Sequence, residues 1–474
     1  MNRAIATQSS TATALVAMIV GPLSGAVVAF AGSAGTAAPL ENAVVTFVAL
    51  LTGSTVLGRE PAWAHLLPLM RVVSRFAGPV LGGVIVVLLQ AWIGLPAELS
   101  VAWIAAVVAT CAGTAMLAAR LLRRVLLGRR RTRIAVIGSG RATVSLHREL
   151  QLAGRHELQV VGRVSTGGEE PVAPEVPTLG SLDRLGAIVE EHEVDLLLMT
   201  GDAPRLAVFD EVAQSCLHLP VRLRELAGFY EEVFGHVAVA EINTAWFQYI
   251  MHPRYRPQPP LGQRIIDVIA AAALGLAALP FVGVVALIIR RDGGPVFFRQ
   301  VRIGEGGRPF TIMKLRTMRE GVDGEWSTAE DERVTAIGRL LRRTHLDELP
   351  QVLNVLRGEM SIVGPRPEQP SFVDRLENVV PFYTRRHLIK PGLTGWAQIR
   401  CGYAGSDIGS AWKLCHDLYY LKHRSLWLNL LILCETARTL VADPQYSAEP
   451  ASVDFILAPT RTVFDAVPAG ISSS

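Results

Sequence analysis

The chain has 474 residues; half are hydrophobic, 19% are charged and the formal net charge is +4. A mean hydropathy of +0.33 is too apolar for an ordinary soluble enzyme, and the length suits several domains. So small a positive excess gives no reason to expect a nucleic-acid partner.

Four apolar stretches occupy residues 1–120, at about 12–31, 42–57, 76–94 and 100–119, each near the length that crosses a bilayer. Because three more follow the first, it reads as a span and not as a cleaved signal peptide. Arg59, Arg71 and Arg75 lie between spans two and three, and an arginine run from Arg120 to Arg133 follows span four. The loops at 32–41 and 95–99 carry no Lys or Arg, so both ends of this four-helix transmembrane anchor are expected in the cytoplasm. None of the spans holds a mid-membrane acid or base, which argues for an anchor and against an ion pathway.

Residues 131–228 alternate strand and helix signals. Arg133–Ile137 reads as a buried strand, Gly138–Ser139–Gly140 as a turn and Ala142–Leu150 as a helix; Leu158–Val164 and Val194–Thr200 read as further strands. This alternation predicts an open parallel sheet of Rossmann type. Its dinucleotide fingerprint is poor. Thr143 stands where a third glycine belongs, and the second strand ends near Arg163 with no acid for a ribose. A structural or regulatory role is favoured, with a bound nucleotide as the alternative. Residues 229–260, ending in the proline-rich His252–Pro260, read as a linker. The five cysteines (Cys111, Cys216, Cys401, Cys415 and Cys434) have no metal spacing and read as reduced thiols.

A fifth apolar stretch, Ile265–Ile289, is interrupted only by Asp267 and is long enough to span. Arg264 precedes it and Arg290 and Arg291 follow it, which favours both ends on the cytoplasmic side. Pro280 removes a backbone N–H near its middle. Residues 261–291 are therefore expected to form a re-entrant helix–break–helix with Pro280 at the break, and a kinked span is the alternative.

The chemistry is expected in residues 292–442. Asp347 and Glu348 lie side by side before Pro350, among Lys314, Arg316, Arg342, Arg343, Arg366, Arg385, Arg386 and Lys390. Carboxylates among so many cations suit a phosphorylated, metal-bound substrate. Thr344 is a possible cap for the helix beside the acids, which could instead begin at Pro350; Val352, Leu353 and Leu356 give it an apolar face and Gly358 an end. Lys314 and Arg316 alternate at strand spacing and so could share a face. Gly364–Pro365–Arg366–Pro367 fixes one guanidinium between two prolines. For any single cation a solvated basic face is the competing reading. Trp396, after the rigid Lys390–Gly395 turn, has three possible settings: the core, the bilayer or a nucleobase. The stretch from Trp412 to Leu433 reads as amphipathic helices in the headgroup region, with core packing as the alternative. Residues 443–474 read as a disordered tail.

The runs Phe297–Met318, Asp347–Pro367 and Tyr383–Ile399 carry a resemblance. From near Pro260 to about Val441 the chain resembles the bacterial polyprenyl-phosphate sugar-1-phosphate transferases, which begin exopolysaccharide or O-antigen assembly. It departs from the family pattern at Leu279, where serine usually precedes the proline, and at Leu315, where phenylalanine is usual. The resemblance implies a Rossmann-like domain between a membrane anchor and a monotopic α/β catalytic domain on the cytoplasmic face of the inner membrane. It implies Asp347 as nucleophile, with Glu348 holding Mg2+ or Mn2+ or managing protons. Lys314, Arg316, Arg342, Arg366, Arg385, Arg386 and Lys390 become candidate phosphate ligands. The implied substrates are a UDP-hexose and a polyprenyl phosphate (undecaprenyl or decaprenyl), with release of UMP. Membrane lipids are expected partners, and a homodimer is compatible with the anchor. The competing classes are a catalytically silent scaffold or regulator of polysaccharide assembly and a nucleotide-dependent oxidoreductase.

Overall fold

The computed structural model describes residues 131–167, 176–242, 246, 259–260, 262–291, 293–318, 334–401 and 406–439, with helical fragments between 22 and 117. Most of the expected four-helix anchor, and the tail at 443–474, lie outside the described residues. The fragments at 22–27, 44–50 and 106–111 are helical, and Ala29, Leu50, Val107 and Cys111 bury one another.

The first domain is a five-stranded parallel sheet. It contains β1 (Thr132–Ile137), β2 (Leu158–Ser165), β3 (Thr178–Ser181), β4 (Leu196–Met199) and β5 (Arg222–Glu225), in the order β3-β2-β1-β4-β5. Helices α1 (Gly140–Leu152), α2 (Leu185–Glu191), α3 (Arg205–Ser215) and α4 (Leu226–Phe234) connect and cover it. Along β1, Ile134 and Val136 pack with Leu146, Leu150 and Tyr230, while Ala135 and Ile137 pack with Leu185, Ile188 and Val208. Both faces are therefore covered, as a parallel sheet requires. Gly138 has φ +109, and Ser139 caps α1 by accepting from the Ala142 N–H. Thr200 Oγ1 accepts from Ser139 N at 3.1 Å, and a Cβ on Gly138 would lie 2.1 Å from that oxygen.

The boundary expected at residue 228 falls inside α4, so residues 229–242 are no linker. The segment after α4 is bound on both sides. Glu241 Oε2 accepts from Gly201 N at 2.7 Å, and Val237 N donates to Cys415 O at 3.0 Å. One continuous core joins the sheet domain to the catalytic domain.

Helix α5 (Gln263–Arg291) is the one helix among the described residues that is long and apolar enough to cross a membrane. The expected interruption is not there: the helix continues through Pro280. A proline costs the bond to Leu276 O, and the flanking turns on both sides carry the helix past that loss. Most of the helix is exposed, including Ile265, Ile269, Leu276, Leu279 and Leu287. Its buried residues lie toward the two ends: Asp267 and Ala271, then Val285 and Ile289. Both ends rest on the catalytic domain.

That domain begins with the antiparallel hairpin β6 (Phe297–Ile303) and β7 (Pro309–Leu315). Next come α6 (Ala336–Arg343), a 3-10 turn at Leu346–Gln351, α7 (Val352–Arg357), β8 (Ser361–Val363) and α8 (Pro370–Val379). β9 (Gly392–Thr394), parallel to β8, leads into α9 (Trp396–Cys401), α10 (Asp407–His423) and α11 (Leu426–Thr439). The headgroup reading of α10 is corrected: Trp412, Leu414, Leu418, Tyr419, Tyr420 and Leu421 are all buried. Apolar residues surround this helix instead of forming one stripe, which marks a core helix. Trp396 is also core, stacked on Tyr419, with its indole N–H donating to Gly235 O at 2.7 Å.

Candidate active site

The two acids sit in the 3-10 turn between α6 and α7. Thr344 does not cap a following helix. It closes α6, and its hydroxyl donates back to Leu340 O at 2.8 Å. His345 then takes a left-handed conformation, φ 56, which reverses the chain into the turn. Non-glycine residues adopt this conformation uncommonly, histidine more readily than most. In α7, Val352 and Val355 are buried while Leu353 and Leu356 are largely exposed, and Gly358 at φ 86 ends the helix as expected.

Lys314 Nζ donates to Glu348 Oε1 at 2.6 Å, and Arg366 Nη2 donates to the same oxygen at 2.7 Å. Glu348 thus holds two cations from separate segments, one from β7 and one from the turn after β8. Burial opposes its ionisation, but the charges of Arg366 and Lys314 override burial and hold its carboxyl well below the usual range. Asp347 is different. Among the described residues its carboxylate accepts no hydrogen bond, although the side chain is buried. Burial raises its pKa, opposed by Lys314 and assisted by Glu348. The pair is an electrostatically locked acid beside an unengaged one.

Of the expected phosphate ligands, the structure brings only Lys314 and Arg366 to the pair. Arg316 turns away after β7, and its Nη2 donates to Ile289 O at 3.2 Å and Gly293 O at 2.5 Å, closing the end of α5. Arg342 is engaged on the segment after β7, with Nε donating to Thr317 Oγ1 at 3.1 Å. Arg386 is buried, with Nη1 on the Tyr383 hydroxyl at 2.8 Å and Nη2 on the Arg366 carbonyl at 3.1 Å. It supports Arg366 and is not itself open to a phosphate. Arg385 is half-buried beside it. Lys390 approaches Gly358, at the end of α7 away from the acids.

The site also uses residues that the motif reading passed over. Glu368 lies 3.6 Å from Arg386 and 3.8 Å from Arg302, whose Nη1 donates to Pro367 O at 3.2 Å. Asp417, on α10, pairs with Arg386 at 2.7 Å. The acid directly after Gly-Pro-Arg-Pro was a usable signal for Glu368; nothing local marks Asp417. Two turns are locked back to back: Gly364 N donates to Thr394 O at 2.8 Å and Gly392 N to Pro365 O at 2.9 Å.

Among the described residues no group of three or more His, Cys, Asp or Glu could cage a metal. Two neighbouring carboxylates, one unengaged, do fit Mg2+, which commonly takes one or two carboxylates plus substrate phosphates.

The acid pair and its cations lie within the stretch of the chain that known proteins match. The family model for bacterial sugar transferases matches residues 259–443. A UDP-N-acetylgalactosamine-undecaprenyl-phosphate N-acetylgalactosaminephosphotransferase of Aeromonas hydrophila is 42% identical over 272 residues, 56% of this chain and 61% of that protein. A UDP-glucose:undecaprenyl-phosphate glucose-1-phosphate transferase of Caulobacter vibrioides is 42% identical over 195 residues, 40% of this chain and 73% of that protein. One with the same name from Xanthomonas campestris pv. campestris is 30% identical over 347 residues, 68% of this chain and 70% of that protein. The last match is longer than the catalytic part alone. The chain therefore belongs to the bacterial sugar transferase family, the polyprenyl-phosphate sugar-1-phosphate transferases that its motifs resemble.

Proposed function

We propose that this chain transfers a hexose 1-phosphate from a UDP-sugar to a polyprenyl phosphate at the cytoplasmic face of the membrane, by way of a phosphosugar on Asp347. The observation that carries this reading is the unengaged Asp347 carboxylate beside a Glu348 fixed by two cations. A nucleophile needs a free lone pair, and its neighbour's charge is already neutralised.

A carboxylate oxygen of Asp347 attacks the phosphorus bonded to the sugar. A P–O bond forms to Asp347, the pyrophosphate P–O bond breaks, and UMP leaves with the electron pair. An oxygen of the polyprenyl phosphate then attacks the same phosphorus and displaces Asp347, which regains its carboxylate. Lys314 and Arg366 balance charge on the phosphoryl oxygens, and the two prolines around Arg366 limit the entropy lost on contact. Asp347 and Glu348 would hold Mg2+ or Mn2+, which supplies further charge neutralisation when bound. The relatives' names support the donor and acceptor classes.

The test is UMP release from UDP-hexoses by membranes containing the protein, with polyprenyl phosphate and Mg2+. Wild type should release UMP and form sugar-linked lipid, and Asp347→Asn should do neither. Unchanged UMP release by that variant would remove Asp347 from the nucleophile's role.

A further inference from the structure

Asp267 is the one acid within apolar α5, and it is 6% exposed. A carboxylate in such a helix is costly unless its oxygens are satisfied. Here they are satisfied by the catalytic domain. Ser361 Oγ lies 3.0 Å from Asp267 Oδ1 and 2.9 Å from Oδ2, and Ile362 N donates to Oδ1 at 3.0 Å. Gln263 Nε2 donates to the same Ser361 hydroxyl at 3.0 Å. One turn of the membrane-type helix thus grips the first two residues of β8. Five residues after Ser361 the chain presents Arg366, the guanidinium that holds Glu348.

The same turn of α5 reaches the other side of the site. Arg264 donates to Val355 O at 2.6 Å and to Leu356 O at 2.9 Å, two carbonyls of the last turn of α7, which follows the acid pair. A cation at a helix C-terminus is well placed for the helix dipole. Arg264 steadies the helix behind the acids, and Asp267 steadies the strand that leads to the cation opposite them.

We propose that Asp267 is a positioning residue for the phosphosugar transfer, fixing β8 through Ser361 and Ile362 and so setting Arg366 against Glu348. The proposal rests on the transfer reading above. It assigns Asp267 no contact with substrate. Its action depends on acceptor geometry: Oδ1 receives the Ile362 amide, and the Ser361 hydroxyl is within reach of both carboxylate oxygens.

The test uses the full chain in membranes or nanodiscs, comparing wild type, Asp267→Asn, Asp267→Leu and Ser361→Ala. Asp267→Asn keeps an oxygen where Oδ1 stands; Asp267→Leu keeps bulk without an acceptor. For UMP release with saturating polyprenyl phosphate, Asp267→Leu should lower kcat about tenfold or more with little change in KM for the donor. Asp267→Asn should recover most of that loss, and Ser361→Ala should fall between. Combining Asp267→Leu with Arg366→Lys should cost no more than Arg366→Lys alone, since both act on one contact. Hydrogen exchange at the Ile362 amide should quicken in the Leu variant and not in the Asn variant. A wild-type kcat in Asp267→Leu, or full additivity with Arg366→Lys, overturns the proposal. If the wild type releases no UMP, the transfer reading fails first, and unchanged Ile362 exchange in Asp267→Leu then refutes the hold on β8 independently.

Discussion

Arg386 Nη2 and Asp417 Oδ2 lie 2.7 Å apart, with both side chains only 2% exposed. Burial alone would discourage the charge on either partner. Tyr383 and Asp417 reverse that effect for Arg386, raising its pKa, while Asp417 is raised by burial against the opposing pull of Arg386. The pair is a support under Arg366, whose carbonyl Arg386 also holds.

Arg386→Ala leaves Asp417 buried and uncompensated. Loss of one partner of a buried pair costs about 3–5 kcal/mol. The thermal midpoint of the purified protein should drop accordingly, and Asp417→Asn should drop it less because Arg386 keeps Glu368 at 3.6 Å.

The rate should depend on pH through Asp347. Burial raises its pKa, so the nucleophile loses its charge at a higher pH than an ordinary aspartate near ~3.9. Lys314 opposes that rise, so Lys314→Met should move the acid limb of the UMP-release profile upward. An acid limb that stays in place in Lys314→Met would show that another group controls it.

Glu348 bears on stability with the opposite sign. Its folded pKa is depressed, so its contribution is complete above the unfolded value of roughly 4.3 and disappears as pH falls through the folded value. Thermal midpoints measured from pH 7 downward should therefore fall more steeply for wild type than for Glu348→Gln.

The crossed turns leave no space for a methyl group. A Cβ on Gly364 would lie 2.4 Å from Lys390 O, and one on Gly392 would lie 2.1 Å from Gly364 N. Gly364→Ala must displace Arg366 or the turn beneath it, and a misplacement of that kind costs about 100-fold in rate. Steady-state UMP release measures it.

Trp396→Phe keeps an aromatic ring in the core and removes the N–H that reaches Gly235. The expected loss is about 1 kcal/mol for one hydrogen bond plus a small packing change. Protease cleavage within 235–242 should become faster, because that segment joins the sheet domain to α9 and α10.

The parallel sheet was legible because both faces of β1 are buried and its turn glycines stand where the chain reverses. That Lys314 and Arg366 would gather at the acid pair was legible from their charge near it. Which arginine of the Arg385–Arg386 pair enters the core was not legible, since adjacent arginines look alike until packing turns one inward. Arg316 lay at correct strand spacing, but β7 ends at Leu315, so the spacing no longer governs where Arg316 points. Trp412 to Leu421 offered apolar and aromatic content that a membrane interface and a protein core accept equally. Pro280 signalled a break, yet one missing hydrogen bond did not end the helix.

The seating of α5 at both ends has a mechanical consequence. Near its start it grips β8, the base of Arg366; near its finish Val285 and Ile289 pack with Leu315, next to Lys314, and Leu346, next to Asp347, lies against that cluster. A load on the exposed flank between these seats is shared by the two levers that close on Glu348. The one helix among the described residues that is long and apolar enough to cross a membrane is thereby also the brace behind both cations of Glu348.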